Sequence, residues 1–173
     1  MNHIELPWGS GERIPLKIPP AWQVVALGQV RSPEPLPCLS PAVCKGLREP
    51  IGAAPLRDLV GPETRIALVM DDLSRPTPVH RLAPLVLDAL IKAGARSEHI
   101  QGLFAIGTHD VMTQEDMEMR AGSSVLSRIA CHSFDCYDRS AFEYLGETER
   151  GTPVRISRIA ARADLRILSL IHI

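Results

Sequence analysis

Blocks of apolar and polar positions alternate along this chain, and the rest is organised around Thr64–His80, TRIALVMDDLSRPTPVH. Ile66–Met70 is apolar at every position rather than at every second one, the pattern of a strand buried on both faces. Polarity returns abruptly at Asp71-Asp72. Thr77-Pro78 then reads as a helix N-cap followed by a first-turn proline. Pro78–Ala93 carries an apolar stripe at helical spacing (Leu82, Leu85, Val86, Ala89, Leu90, Ala93) and stops at Gly94, with Pro84 inside it as a possible kink. Gln101–Ile106 is a second buried strand. Thr113 opens a helix with Asp116 in the capping-box place, and that helix runs towards Arg128. Arg128–Ser133, Val154–Ile156 and Leu165–Ile167 follow as strands three to five of the sheet, the last two joined by a short helical connection over 157–163. Strands alternating with helices predict a mostly parallel sheet covered on both faces.

Upstream the signals are weaker. Ile4–Ile18 holds Gly9-Ser10-Gly11 between two extended runs and predicts a β-hairpin. Pro19-Pro20 breaks it, and Trp22–Leu27 is a further strand. The prolines of Ser32–Pro41 require an extended connection, after which Ser40-Pro41 caps a helix through Arg48. A second short helix ends at Leu59.

Composition narrows the class. The chain has 173 residues, 45% of them hydrophobic, and a net charge of -1 from 19 basic and 20 acidic residues. Without a block of either sign, a nucleic-acid surface or a polybasic membrane patch is not expected. No run reaches the length of a membrane span and no signal pattern opens the chain, so a cytoplasmic location is expected. Cys38, Cys44, Cys131 and Cys136 do not fall at zinc-finger spacings; Cys131, His132 and Cys136 could supply three metal ligands, but reduced thiols are the default and no metal site is assigned.

Candidate chemistry sits where the two buried strands end. Loops at the carboxyl ends of parallel strands, and the helix starts that follow them, are where small anions bind. Arg75 offers a planar two-pronged donor for carboxylate or phosphate. The same loop also reads as a solvated turn with an internal Asp–Arg pair. After Leu103–Ile106 comes Gly107-Thr108-His109, where the glycine allows close backbone approach and the imidazole suits acid–base work; a capping histidine is the plainer alternative. Asp72 could orient His109 or bind a hydroxyl. His80 fits a solvent-facing place better than a ligand contact. Adjacent Asp71 and Asp72 point apart, which excludes the D-x-D pair of a haloacid-dehalogenase phosphatase. No nucleotide-binding glycine motif is present.

The ordered set Glu49-Pro-Ile-Gly-x-x-Pro-Leu-Arg-Asp-Leu, Asp71-Asp72-x-Ser-Arg-Pro-Thr-Pro, Ala105-Ile-Gly-Thr-His109, Leu145-Gly-Glu-Thr-x-x-Gly-Thr-Pro-Val and Ala163-Asp164 resembles the N-terminal domain of the nickel-dependent lactate racemase family. The resemblance implies a Rossmann-like domain, preceded by a small β-rich segment, of an enzyme that interconverts 2-hydroxyacid stereoisomers by hydride transfer to a nickel-pincer nucleotide. It implies His109 as one catalytic acid–base histidine and Arg75 as the clamp on the anionic substrate. It implies Asp72, Ser74 and Arg75 on the cofactor side. The pincer-bearing lysine, the nickel-binding histidine and the second catalytic histidine of the family have no counterpart here, so an incomplete, inactive N-terminal fragment is expected. Residues 1–60 are expected to form the hairpin and connecting segment, and 61–167 the truncated Rossmann-like part. Leu168–Ile173, LSLIHI, translates a transposon adapter (CTG TCT CTT ATA CAC ATC) and is expected to be a non-native tail, His172 included. A small 2-hydroxyacid is the expected partner. Malate, a sugar acid or a larger hydroxyacid would fit the same family, and a non-catalytic small-anion binding module is the alternative.

Overall fold

In the computed structural model, residues 3–8, 11–26, 28 and 38–169 are described, and the chain divides into two compact units, Met1–Pro35 and Leu36–Ile173. In the first unit β1 (His3–Trp8) pairs antiparallel with β2 (Glu12–Lys17), Trp8 opposite Glu12 and His3 opposite Lys17. The hairpin is thus present, although Gly9 and Ser10 of its turn lie outside the described residues. The strand expected at Trp22–Leu27 does not form over residues 22–26, and Leu27 lies outside the described residues. A turn closed by Trp22 N–H on the Pro19 carbonyl at 2.9 Å precedes it, and among the described residues this segment pairs with no strand.

The second unit begins with α1 (Leu39–Arg48) and α2 (Leu56–Leu59). Helix α1 starts earlier than expected. Cys38 is the extended residue before it, and Ser40 and Pro41 fall inside the first turn, where a missing amide proton costs nothing. Then come β3 (Ile66–Met70), α3 (Val79–Lys92), β4 (Ile100–Phe104), α4 (Gln114–Ala121), α5 (Ser123–Leu126) and β5 (Ala130–Ser133). The single helix expected from Thr113 towards Arg128 is divided at Gly122. After them follow β6 (Phe142–Glu147), β7 (Pro153–Ser157), α6 (Arg158–Arg162) and β8 (Leu165–Ser169).

Four strands form one parallel sheet in the order β5-β4-β3-β8, with β3 flanked on both sides. Counted from β3, this is the 3-2-1-4 order of a doubly wound sheet. The segment Val154–Ile156 does not join it. It belongs to β7, which pairs antiparallel with β6, a strand the pattern did not predict. A tight turn joins them, Thr148 N–H reaching the Thr152 carbonyl at 2.9 Å, and such a link can only reverse the chain; a parallel neighbour needs a long crossover.

The period of two divides the core between the faces. Ile66, Leu68, Met70, Ile100 and Phe104 pack with Val79, Ala83, Leu87 and Leu90 of α3, Met117 and Ala121 of α4 and Val125 of α5. Ala67, Val69 and Leu103 face the other way, against Ala163, Ile159, Ala160 and Phe134. The strand starts are tied by Asp164, which accepts from the Arg65 amide at 2.9 Å and from its guanidinium at 3.0 and 2.6 Å. These bonds hold the Asp164 carboxyl well below the usual range, at about 2.

Gly102 in β4 is packed too closely for a side chain. A Cβ there would lie 2.6 Å from Cys131 Sγ and 3.2 Å from Met70 Cε. Gly102→Ala is therefore expected to cost about 1–3 kcal/mol by overpacking. Urea unfolding measures this, and adding Cys131→Ala should restore part of the loss because it removes the nearest clashing atom.

Candidate functional site

Parallel pairing places Met70 beside Phe104, so the residues after each strand emerge side by side. The Ala105 amide still reaches back to the Met70 carbonyl at 2.8 Å. The loop after β3 carries Asp71, Asp72, Ser74 and Arg75; the loop after β4 carries His109.

The second loop is held at both ends. Ile106 and Met112 are buried, and the Met112 amide donates to Ser133 Oγ at the tip of β5 at 2.9 Å. Between them the chain turns sharply, with His109 N–H on the Ile106 carbonyl at 3.2 Å and Gly107 in the left-handed region at φ 64°. A side chain at Gly107 would be strained in that conformation. Thr113 then closes the capping box predicted for α4, accepting from the Asp116 amide at 3.1 Å.

The structure brings Asp72 and His109 together: Asp72 Oδ2 accepts from His109 Nδ1. Asp72 Oδ1 accepts from the Ser74 amide at 3.1 Å and from its hydroxyl at 2.6 Å. Burial alone would raise the Asp72 carboxyl, but the hydrogen bonds from Ser74 and His109 together outweigh it and hold it below the ordinary carboxylate range. An ionised carboxylate only accepts, so the shared proton belongs on Nδ1, and in the neutral ring it is Nε2 that carries the lone pair. The His109 side chain is 53% exposed, which leaves that nitrogen accessible.

Arg75 is on the same loop as Asp72 and is exposed. Its amide approaches the Asp72 carbonyl at 3.4 Å, and its guanidinium makes no hydrogen bond or ion pair among the described residues. The internal Asp–Arg pair that a solvated turn would use is therefore not formed. His80 is exposed in the first turn of α3. Thr77 does not cap that helix. The Val79 amide takes the Thr77 carbonyl at 2.8 Å, and Thr77 Oγ1 is buried without a partner.

Sequence reasoning missed Arg120. Its guanidinium is buried under the site and bonds Asp71 twice, to a carboxylate oxygen and, at 3.1 Å, to the backbone carbonyl. Asp71 Oδ2 is buried and unpartnered. Among the described residues no cluster of His, Cys, Asp and Glu is placed to hold a metal ion, Cys131, His132 and Cys136 included, and no helix is long and apolar enough to cross a membrane. Clefts of about 490 Å³ (between α1, α2 and α3) and about 530 Å³ (at the strand starts) lie away from these tips.

Fold and site together define an α/β domain with a polar edge at the carboxyl ends of its parallel strands. The chain belongs to the lactate racemase N-terminal domain family, which matches residues 9–171. It is 28% identical over 125 residues to the lactate racemase of Thermoanaerobacterium thermosaccharolyticum, covering 72% of this chain and 29% of that protein. It is 29% identical over 123 residues to the lactate racemase of Lactiplantibacillus plantarum, covering 71% of this chain and again 29% of that protein. The chain thus matches less than a third of the length of these relatives. The fold agrees with the solved apoprotein of the Thermoanaerobacterium enzyme at a TM-score of 0.74 and 24% identity, over 96% of this chain and 38% of that one. It also agrees with a Thermotoga maritima protein at 0.59 and 20% identity, over 76% and 33% of the two chains.

Arg120→Ala leaves a buried carboxylate without its cation and is expected to cost about 3–5 kcal/mol in denaturant unfolding, against less than about 0.5 kcal/mol for Arg75→Ala at the surface. The lowered Asp72 carboxyl contributes stability that is fully present above its unfolded value near 3.9 and is lost as pH falls through the lower folded value. Ser74→Ala should raise the Asp72 titration, followed by carboxyl-carbon NMR, so that the acid loss becomes smaller and is complete at a higher pH.

Proposed function

We propose that this chain is the N-terminal part of a cytoplasmic 2-hydroxyacid racemase, with lactate as the first substrate to test. The observation that carries the proposal is the Asp72–His109 pair at the tips of β3 and β4, with the unpaired guanidinium of Arg75 on the Asp72 loop. Racemisation at a carbon bearing a hydroxyl needs that hydroxyl deprotonated while the carboxylate is held still. In this reading His109 Nε2 takes the hydroxyl proton, and Asp72 fixes the tautomer and steadies the imidazolium that forms. Arg75 clamps the substrate carboxylate with two parallel N–H donors.

The residues fit the organic, anionic part of a nickel-pincer nucleotide. Arg75 is free to pair, and Thr77 Oγ1 in the same loop is a buried hydroxyl without a partner. Asp72, Ser74 and Arg75 would line the cofactor side, while metal ligands would come from elsewhere in the longer protein. When bound, the cofactor supplies the acceptor for the hydride on the substrate carbon.

The test is incubation of the full-length protein, loaded with cofactor, with single-enantiomer lactate and other hydroxyacids, followed by chiral chromatography. Loss of enantiomeric purity is expected. His109→Ala should lower kcat about 10²–10⁴-fold, and Arg75→Lys should act chiefly on KM. A substrate-dependent rise in melting temperature with no loss of enantiomeric purity would mean a small-anion binder and overturn the racemase assignment.

A further inference from the structure

Two contacts join the strand-tip loops, one at the surface and one beneath it. At the surface Asp72 meets His109. Beneath, Arg120 reaches from α4 to Asp71. Because α4 follows directly on the loop that carries His109, both contacts connect the same two segments of chain. The lower one is the more constrained. The Arg120 side chain is 8% exposed and that of Asp71 5%. Its guanidinium takes the backbone carbonyl as well as the carboxylate, which fixes the peptide joining Asp71 to Asp72.

We infer that Arg120 is a positioning residue for the Asp72–His109 pair, acting through the backbone and carboxylate of Asp71. The inference rests on the reading of His109 as the acid–base group. Asp72 can meet His109 only if the peptide before it is correctly turned and if α4 holds the His109 loop at the right height. Arg120 sets both: from the helix that follows His109 it donates to the Asp71 carbonyl and carboxylate. A role limited to stabilising the core would make no demand on the His109 ring.

The two roles separate in the double variant Asp71→Leu/Arg120→Met. It removes both charges together, so no buried ion is left alone, and apolar replacements of this kind often preserve stability. The readout is the tautomer of His109 in the 173-residue chain, from ring-nitrogen NMR of ¹⁵N-histidine-labelled protein at about pH 8.5, where imidazole is neutral. Asp72→Ala gives the signal for complete loss of the contact, and His109→Ala assigns the resonance.

Unmutated protein is expected to show the Nδ1–H form. The double variant should show roughly a twofold or greater drop in that form, with the Asp72 carboxyl titrating nearer its ordinary value. A folded double variant with unchanged His109 and Asp72 signals overturns the inference. Should that variant not fold, Arg120→Lys replaces it. An ammonium keeps the charge but lacks the fork that spans carbonyl and carboxylate, so a partial loss of the Nδ1–H form is expected, and an unchanged ring again overturns the inference. Failure of the functional reading looks different: the unmutated ring would be in the Nδ1–H form while the loaded full-length protein left lactate enantiomerically pure.

Discussion

A carboxylate at the tip of a wholly apolar strand must be neutralised where it stands, and Arg120 meets that requirement for Asp71. Strand β3 has every residue buried, and Asp71 continues that burial one residue further. Removing a carboxylate from water is costly unless a cation comes with it in good geometry. Once the guanidinium is there, helix α4 cannot move relative to the end of β3 without separating buried charges. The loop between β4 and α4 inherits that constraint, and so does the imidazole it carries.

The two aspartates divide the work by direction. Beyond the last strand residue Asp71 turns to Arg120 of α4, while Asp72, also buried, turns to the exposed His109. One acidic dipeptide thereby anchors a helix on one side and orients a histidine on the other. Ser74 completes the outward half by closing the turn on the free oxygen of Asp72. That leaves Arg75 as a cation with no internal counter-ion.

Much of this was legible from the chain. Ile66–Met70 announces itself because no position is polar, and α3 is legible as a helix, although its buried face is Val79, Ala83, Leu87 and Leu90 and shares only Leu90 with the stripe read from the sequence. Asp72 as the partner of His109 follows from two strand ends being neighbours. Other features carry no local signature. Arg120 and Asp71 are 49 residues apart, and nothing in EDMEMRA marks one arginine as buried. Strand β6 mixes glutamates, a glycine and a half-exposed face, so FEYLGE lacks clean alternation. Thr77-Pro78 supports either a side-chain cap or a backbone turn, and the Val79 amide takes the backbone carbonyl instead.

The packing around Gly102 also has a redox side. Cys131 fills the space that glycine leaves, and burial pushes its thiol up to about 11. At neutral pH the sulfur stays protonated and is a poor nucleophile towards peroxides or disulfides. The edge strand β5 therefore carries a sulfur atom that is chemically silent as long as it stays packed against β4.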